Sequence, residues 1–259
     1  MKPYRVYRAH ADEPAAGMPR QRRRRRRALR VALVLLALLL IAQLVGTLYE
    51  LSLPSVADAP ARTAAIVTAN RGTLGRLPLP SKLSAAVVAV EDRRFFGNAV
   101  VNVFYGAARA ALALVQGGGD QGGSTISQQL AKQLYGTGSG LGAVLQQVGL
   151  GLKLSPSYSR PQVLAMYLTA GYYGNGSWGD VAAARGYFGV APAQLDWAEA
   201  AMLAGLLQAP SAYDPLQHYA LAKERQRHVL DRLVANHYLT AQQADLAYRE
   251  PLPLRRPSQ

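Results

Sequence analysis

Residues 31–49, VALVLLALLLIAQLVGTLY, contain no charged side chain and one strongly polar one, Gln43. In hydrocarbon a single segment must satisfy its backbone polar groups internally, which leaves it only the helix. About 20 helical residues span the hydrocarbon core of a bilayer. A core helix of that length normally carries a polar stripe, and this run has none. Six arginines, Arg22 to Arg27, lie just before it. The positive-inside rule keeps such a cluster in the cytoplasm and sends the chain after Tyr49 to the other side. A cleavable signal peptide is the competing reading. Its apolar region would be unusually long, and its charged region would lie behind an extra N-terminal stretch. The reading adopted is an uncleaved single-pass anchor.

This placement changes the meaning of the net charge of +14. Residues 1–30 hold 11 of the 29 Lys and Arg but 2 of the 15 Asp and Glu. The rest of the chain is only mildly basic. No aromatic side chains interleave with the arginines, so no nucleic-acid partner is expected. A tail that binds nucleic acid or anionic lipid in the cytoplasm is the competing reading, but a cluster abutting the membrane is explained by topology alone. There are no cysteines, which excludes disulfides and thiolate metal sites. His10, His218, His228 and His237 show no metal-ligand spacing, and His228 and His237 read as surface residues.

The expected organisation is a basic tail (1–30), a transmembrane helix (31–49), a linker (50–64), a folded domain (65–240) and a C-terminal tail (241–259). The Pro- and Ala-rich stretch from Leu51 to Arg62 shows no periodicity, and residues 64–72 suit a short strand and turn. Helical patterns follow from Ser81, a candidate N-cap, and then over 101–115, 141–154 and 158–173. Pro161 sits near the first turn of the last of these, where proline is tolerated. Residues 171–180 read as a glycine-rich turn. VAAARGYFG reads as a short helix with a glycine stop, LDWAEAAMLAGLLQAP as a long apolar helix, and 217–247 as one or two amphipathic helices. No alternating strand series appears, so the fold class is mainly α.

Within this frame GGSTISQQLAKQLY, residues 122–135, concentrates the chemistry. Thr125 and Gln128 have capping-box spacing, and the free amides of a helix start form a natural anion site. Ile126, Leu130 and Leu134 share an apolar face. Thr125, Gln129 and Lys132 share a neighbouring one, a hydroxyl, an amide and an ammonium in a row that suits a phosphorylated or sugar-bearing ligand. The spacing alone also fits a capped amphipathic helix with no site on it.

VAVEDRRFF, GGSTISQQLAK, VLAMYLTAGYYG, AAARGYFG and LDWAEAAMLAGLLQAPSAYDP occur in that order. Together they resemble the peptidoglycan glycosyltransferases of glycosyltransferase family 51, over about residues 65–235. With the sequence closing at Gln259, the resemblance is to the short, membrane-anchored, monofunctional transglycosylases. It implies a lysozyme-like, two-lobed helical domain at the outer face of the bacterial cytoplasmic (inner) membrane. The implied activity is polymerisation of lipid II into β-1,4-linked glycan with release of the lipid pyrophosphate. Glu91 matches the family's catalytic glutamate, the general base that takes the proton of the acceptor 4-hydroxyl. On the residues alone Glu91 could equally be a helix-end carboxylate paired with Arg94. The resemblance further places Asp92, Phe95, Gly123, Ser124 and Thr125 at the substrate, with Gln128, Gln129, Lys132 and Gln133. It implies assistance by Mg or Mn at the pyrophosphate, through ligands the sequence does not identify. The implied partners are lipid II, the growing glycan, the membrane and other cell-wall synthesis proteins.

The chain departs from the family pattern at several positions. Asn98 and Val100 replace a histidine and a glycine, Gln133 replaces an asparagine, and Thr169 ends what is usually Y-L-N. In the third motif Ala143 and Val144 stand where an arginine and a lysine are usual, and Gln147 stands at the second glutamate. Residues 133–152 contain no charged side chain. An amide hydrogen-bonds but carries no charge. A non-catalytic scaffold that binds lipid II or glycan is therefore the alternative function. A glycan-cleaving, lysozyme-like enzyme is a third reading, against which GGSTISQQLAK argues.

Overall fold

The computed structural model describes residues 20–75, 78–97 and 125–255. The helix expected over 101–115 lies outside them, as do Gly123 and Ser124.

The chain divides into two units at Ser52/Leu53. The first is a single helix, α1 (Arg20–Ser52). Its apolar part, Arg27–Ser52, is 26 residues long, about 39 Å at 1.5 Å per residue. Leucines and valines are exposed on every side of it, as suits a helix long and apolar enough to cross a membrane.

The second unit is helical throughout its described residues. Its elements are α2 (Ala59–Ala69), α3 (Ser81–Glu91), α4 (Ile126–Tyr135), α5 (Leu141–Ser157), α6 (Arg160–Ala170), α7 (Asp180–Phe188), a short 3-10 turn (Pro192–Gln194), α8 (Trp197–Leu206), α9 (Tyr219–Ala235) and α10 (Ala241–Arg249). The only pairing of strand type among them is an isolated bridge between Tyr172 and Trp178 across the glycine-rich turn.

Local sequence sets the helix ends. Reciprocal capping boxes start α4 (Thr125/Gln128), α6 (Ser159/Gln162), α8 (Asp196/Glu199) and α10 (Thr240/Gln243). Each satisfies two otherwise orphaned groups at a helix start. Gly136 and Gly189 end α4 and α7 in the left-handed conformation, at φ of 58° and 75°, where a β-carbon would be strained.

Two groups of helices pack around one continuous apolar core. In the first, α4 lies on α5 and α6, and α2 covers α6. In the second, α3 lies on α8 and α9, and α10 closes against α8 and α9. Helix α7 contacts α6 on one side and α8 on the other. Gly151 lets α5 approach α4 closely, because a β-carbon there would lie 3.2 Å from Gln128 Cγ.

Three sequence expectations change. Residues 64–72 are not a strand: α2 runs through Ala69, and only Asn70–Gly72 turn. Ala59, Thr63 and Val67 are its buried residues, at i, i+4 and i+8. This helical stripe prevails over the strand preference of Ile66, Val67 and Thr68. Ser81 is not the cap of α3 but its first residue, behind Pro80. The domain also extends beyond 65–240 at both ends. Lys153 Nζ donates to Leu53 O at 2.8 Å, and Tyr158 Oη to Val56 O at 2.8 Å. At the other end α10 buries Ala244 and Ala247, and Arg255 N donates to Tyr187 O at 2.8 Å.

Candidate functional site

Glu91 is the last residue of α3. Leu83, Ala86, Val87, Val88 and Ala89 bury that helix in the core and so fix where the carboxylate emerges. Asp92 breaks the helix at φ −153° and ψ 77°, and the chain turns back with Phe95 N donating to Asp92 O at 2.9 Å. Phe95 anchors this turn and is 0% exposed. The guanidinium of Arg160 lies 5.3 Å from the centre of its ring.

Asp92 Oδ2 accepts from Ile126 N at 3.3 Å, which ties the end of α3 to the start of α4. Burial pushes the Asp92 carboxyl above its ordinary range. The amides of Ile126 and Arg94 and the charges of Arg160 and Arg94 pull it back in part.

The tie at Ile126 brings Gln129, one turn along α4, against Glu91. Gln129 Nε2 donates to Glu91 Oε2 at 2.9 Å. Its amide is held from the other end by Tyr167 of α6, whose Oη donates to Gln129 Oε1 at 2.7 Å. A hydroxyl on the carbonyl side turns the NH2 toward the carboxylate. On the other oxygen of Glu91, Arg225 Nη2 of α9 lies 3.7 Å from Oε1. Four elements therefore converge: the end of α3, the first half of α4, the middle of α6 and α9. An amide N–H and a guanidinium both complement an ionised carboxylate, the form that accepts a proton.

The other expected site residues fall into separate places. Thr125 is buried as the N-cap of α4, its Oγ1 accepting from Gln128 N at 3.3 Å. Gln128, expected at the substrate, is 2% exposed and returns its Oε1 to Thr125 N at 2.8 Å. Phe95, also expected at the substrate, is enclosed by the core. In this structure both side chains face the packing: Phe95 the core and Gln128 the start of α4. Lys132 is exposed on the last turn of α4. Gln133 lines a groove of about 660 Å³ with Asn70, Tyr172, Trp178 and Leu207, among others. Gln147 donates Nε2 to Thr137 Oγ1 at 2.8 Å, and so braces the α4–α5 connection. Ala143 is buried and Val144 half-buried. Among the described residues no three His, Asp or Glu side chains converge to hold a metal.

Two residues at the site lie outside the sequence expectations: Tyr167, two residues before Thr169, and Arg225, among the charges of an amphipathic helix. The signal for Arg225 is the buried row Ala222, Gln226, Val229 and Leu233, whose flank it shares.

Comparison with known proteins identifies the family. A family model described as Transglycosylase matches residues 62–234, two-thirds of the 259-residue chain. Penicillin-binding protein 2a of Streptococcus pneumoniae is 39% identical over 188 residues, 72% of this chain and 25% of that protein. Penicillin-binding protein 1A of Neisseria gonorrhoeae is 39% identical over 175 residues, 67% of this chain and 22% of its own length. The crystal structure of penicillin-binding protein 1A from Haemophilus influenzae aligns with a TM-score of 0.43 at 22% identity, over 71% of this chain and 18% of that one. The chain thus spans about a quarter of the length of the curated relatives it matches. The matched stretch runs from α2 to α9 and holds Glu91, Gln129, Tyr167 and Arg225, and the chain belongs to the transglycosylase family.

Proposed function

We propose that the protein is a peptidoglycan glycosyltransferase that polymerises lipid II, with Glu91 as general base. The observation that carries this reading is the aligned chain Tyr167–Gln129–Glu91, which presents a carboxylate at the start of α4 within a transglycosylase domain. Glu91 takes the proton of the acceptor 4-hydroxyl. That oxygen attacks C1 of the donor sugar, and the C1–O bond to the lipid pyrophosphate breaks with its electron pair on the pyrophosphate. Attack opposite an α-linked leaving group gives the β-1,4 bond. A positioned base of this kind is worth about 100- to 10,000-fold in rate. Lys132, exposed at the end of α4, offers charge to the pyrophosphate. Asp92 supports the site by joining α3 to α4.

In this reading α1 spans the cytoplasmic membrane with Arg22 to Arg27 inside, and the domain works on the outer leaflet, where lipid II and glycan are its partners. A reporter fused after Gln259 is expected to be active outside the membrane. A soluble, shortened form starting near residue 60 would show instead that the segment is cleaved.

The deciding assay uses the full-length, detergent-solubilised chain with labelled lipid II, with Mg or Mn and with EDTA. Glycan chain length is the readout. Polymer is expected, and Glu91→Gln should nearly abolish it while leaving lipid II binding intact. One observation favours the alternative of a non-catalytic scaffold: residues 133–152 are uncharged and Gln147 is turned to Thr137. Binding of lipid II without polymer under every metal condition would establish that alternative.

A further inference from the structure

Arg225 and Glu91 are 134 residues apart in sequence and meet inside the fold. Their side chains are 13% and 10% exposed, with Nη2 3.7 Å from Oε1. At that depth solvent screens the pair little, and removal of one partner leaves the other charge buried and uncompensated. The path of the arginine is also built. Gly205 on α8 makes room for its stem, since a β-carbon there would lie 2.9 Å from Arg225 Cγ. The guanidinium lies 5.9 Å from the centre of the Tyr213 ring. Nε is buried without a hydrogen-bond partner.

We propose that Arg225 is a positioning residue for Glu91: it fixes the carboxylate through Oε1 while Gln129 fixes it through Oε2, and it complements the negative charge of the base. The proposal rests on the reading of Glu91 as base. Arg225 acts through Glu91 and not on the substrate. The hydrogen bond from Gln129 orients the carboxylate at Oε2, and the guanidinium 3.7 Å from Oε1 favours that same orientation by its charge. A lysine would supply the charge but not the planar fork.

Most other charged groups on the surrounding elements are engaged elsewhere or exposed: Lys82 of α3 donates to Leu195 O at 3.0 Å, Arg160 of α6 lies over the Phe95 ring, Lys223 of α9 donates to Tyr248 O at 2.6 Å, Arg227 pairs with Asp231 at 3.0 Å, and Glu224 is exposed. Asp92 and Arg94 sit on the turn after Glu91. Helix α4 brings Lys132, which is exposed, and Tyr213 precedes α9. His228, also exposed, is a turn from Arg225 on α9. Helix α8 brings Glu199, whose Oε2 is engaged by Asp196 N at 3.0 Å, six residues from Gly205. Arg225 is thus the cation the described contacts place on Glu91.

The test uses the full-length chain with 13C-labelled glutamate carboxyls, the Glu91 signal being assigned by its loss in Glu91→Gln. Loss of a cation at this distance disfavours the ionised form, so the Glu91 titration midpoint in Arg225→Met should rise by about one unit or more. Arg225→Lys should restore most of that shift. In lipid II polymerisation Arg225→Met should lower kcat about tenfold or more with KM nearly unchanged. In the Glu91→Gln background the same substitution should cost nothing further. Gly205→Ala, which crowds the stem, should move the midpoint the same way by less, and it serves if Arg225→Met does not fold. An unmoved midpoint, a rise in KM alone, or an additive loss in the Glu91→Gln background would overturn the proposal. If the wild type makes no polymer, the glycosyltransferase reading fails, and the titration still decides the role of Arg225.

Discussion

Tyr167→Phe removes one hydroxyl from the chain that ends on Glu91, and its effect can be worked from the geometry. Tyr167 is 1% exposed, and its hydroxyl donates to Gln129 Oε1 at 2.7 Å. Phenylalanine fills nearly the same volume, so the packing term is small. A half-buried carbonyl then loses this donor, which costs about 1–3 kcal/mol when nothing replaces it. The amide has two responses. It can stay, with Oε1 lacking that donor, or it can turn over, which puts Oε1 against the Glu91 carboxylate and breaks the 2.9 Å bond as well. Either way about 1–2 kcal/mol is at stake, a factor of about 5–30 in rate if the loss falls on the transition state. The ground state should lose stability too, about 2–4 °C in Tm per kcal/mol for a unit of this size. The assay is initial polymerisation rate with lipid II beside thermal unfolding, for Tyr167→Phe, Gln129→Leu and the double variant. Because the hydroxyl acts through Gln129, adding Tyr167→Phe to Gln129→Leu should change the rate by less than about twofold. A fall in Tm with an unchanged rate would make Tyr167 scaffold alone. A rate loss undiminished in the double variant would show that Tyr167 acts by another route.

Asp180 gives a pH prediction with a definite sign. Its carboxyl is 4% exposed, Oδ1 has no hydrogen-bond partner, and burial pushes it above the ordinary range despite the amides of Asp180 and Val181. As pH rises the unfolded chain releases this proton first, so the stability it contributes is full below about pH 3.9 and is lost as pH passes through the folded value. Thermal unfolding across pH 3–8 should show Asp180→Asn free of this loss, with Tm at pH 7 equal to or above wild type. A larger drop with pH in the variant would reverse the reasoning. Thr240→Ala removes the hydroxyl that accepts from Gln243 N at 3.2 Å and should destabilise by about 1 kcal/mol, seen as faster amide exchange across α10. Gln147→Glu keeps the shape and lets Thr137 donate in place of accepting, so Tm should hold within about 1 °C. If the missing carboxylate at the family's second glutamate limits the rate, polymerisation should accelerate; an unchanged rate would place the limit elsewhere.

What the sequence disclosed and what it withheld follow from the range of the interactions. Capping boxes act over three residues, so T-x-x-Q at Thr125 is legible and is formed. The charge-free run at 31–49 is equally local, and it is helical. Helix α2 was not legible, because Ile66, Val67 and Thr68 prefer strands as isolated residues and only packing against α6 selects the helix. Motif membership carried Glu91 but could not sort its companions. A motif residue can face a substrate or the packing around it, and a single sequence treats the two alike. Phe95 and Gln128 are buried, under the turn after Glu91 and at the start of α4. Arg225 shows the converse. Glu224 and Asp231 are exposed on the same helix, and Arg227 pairs with Asp231 at 3.0 Å in ordinary i, i+4 fashion, so one more arginine there reads as solvated. Only the crossing of α9 over α3, with Gly205 giving room to the stem, turns that arginine inward. The partner that gives it meaning lies 134 residues upstream, beyond the reach of any periodicity in α9.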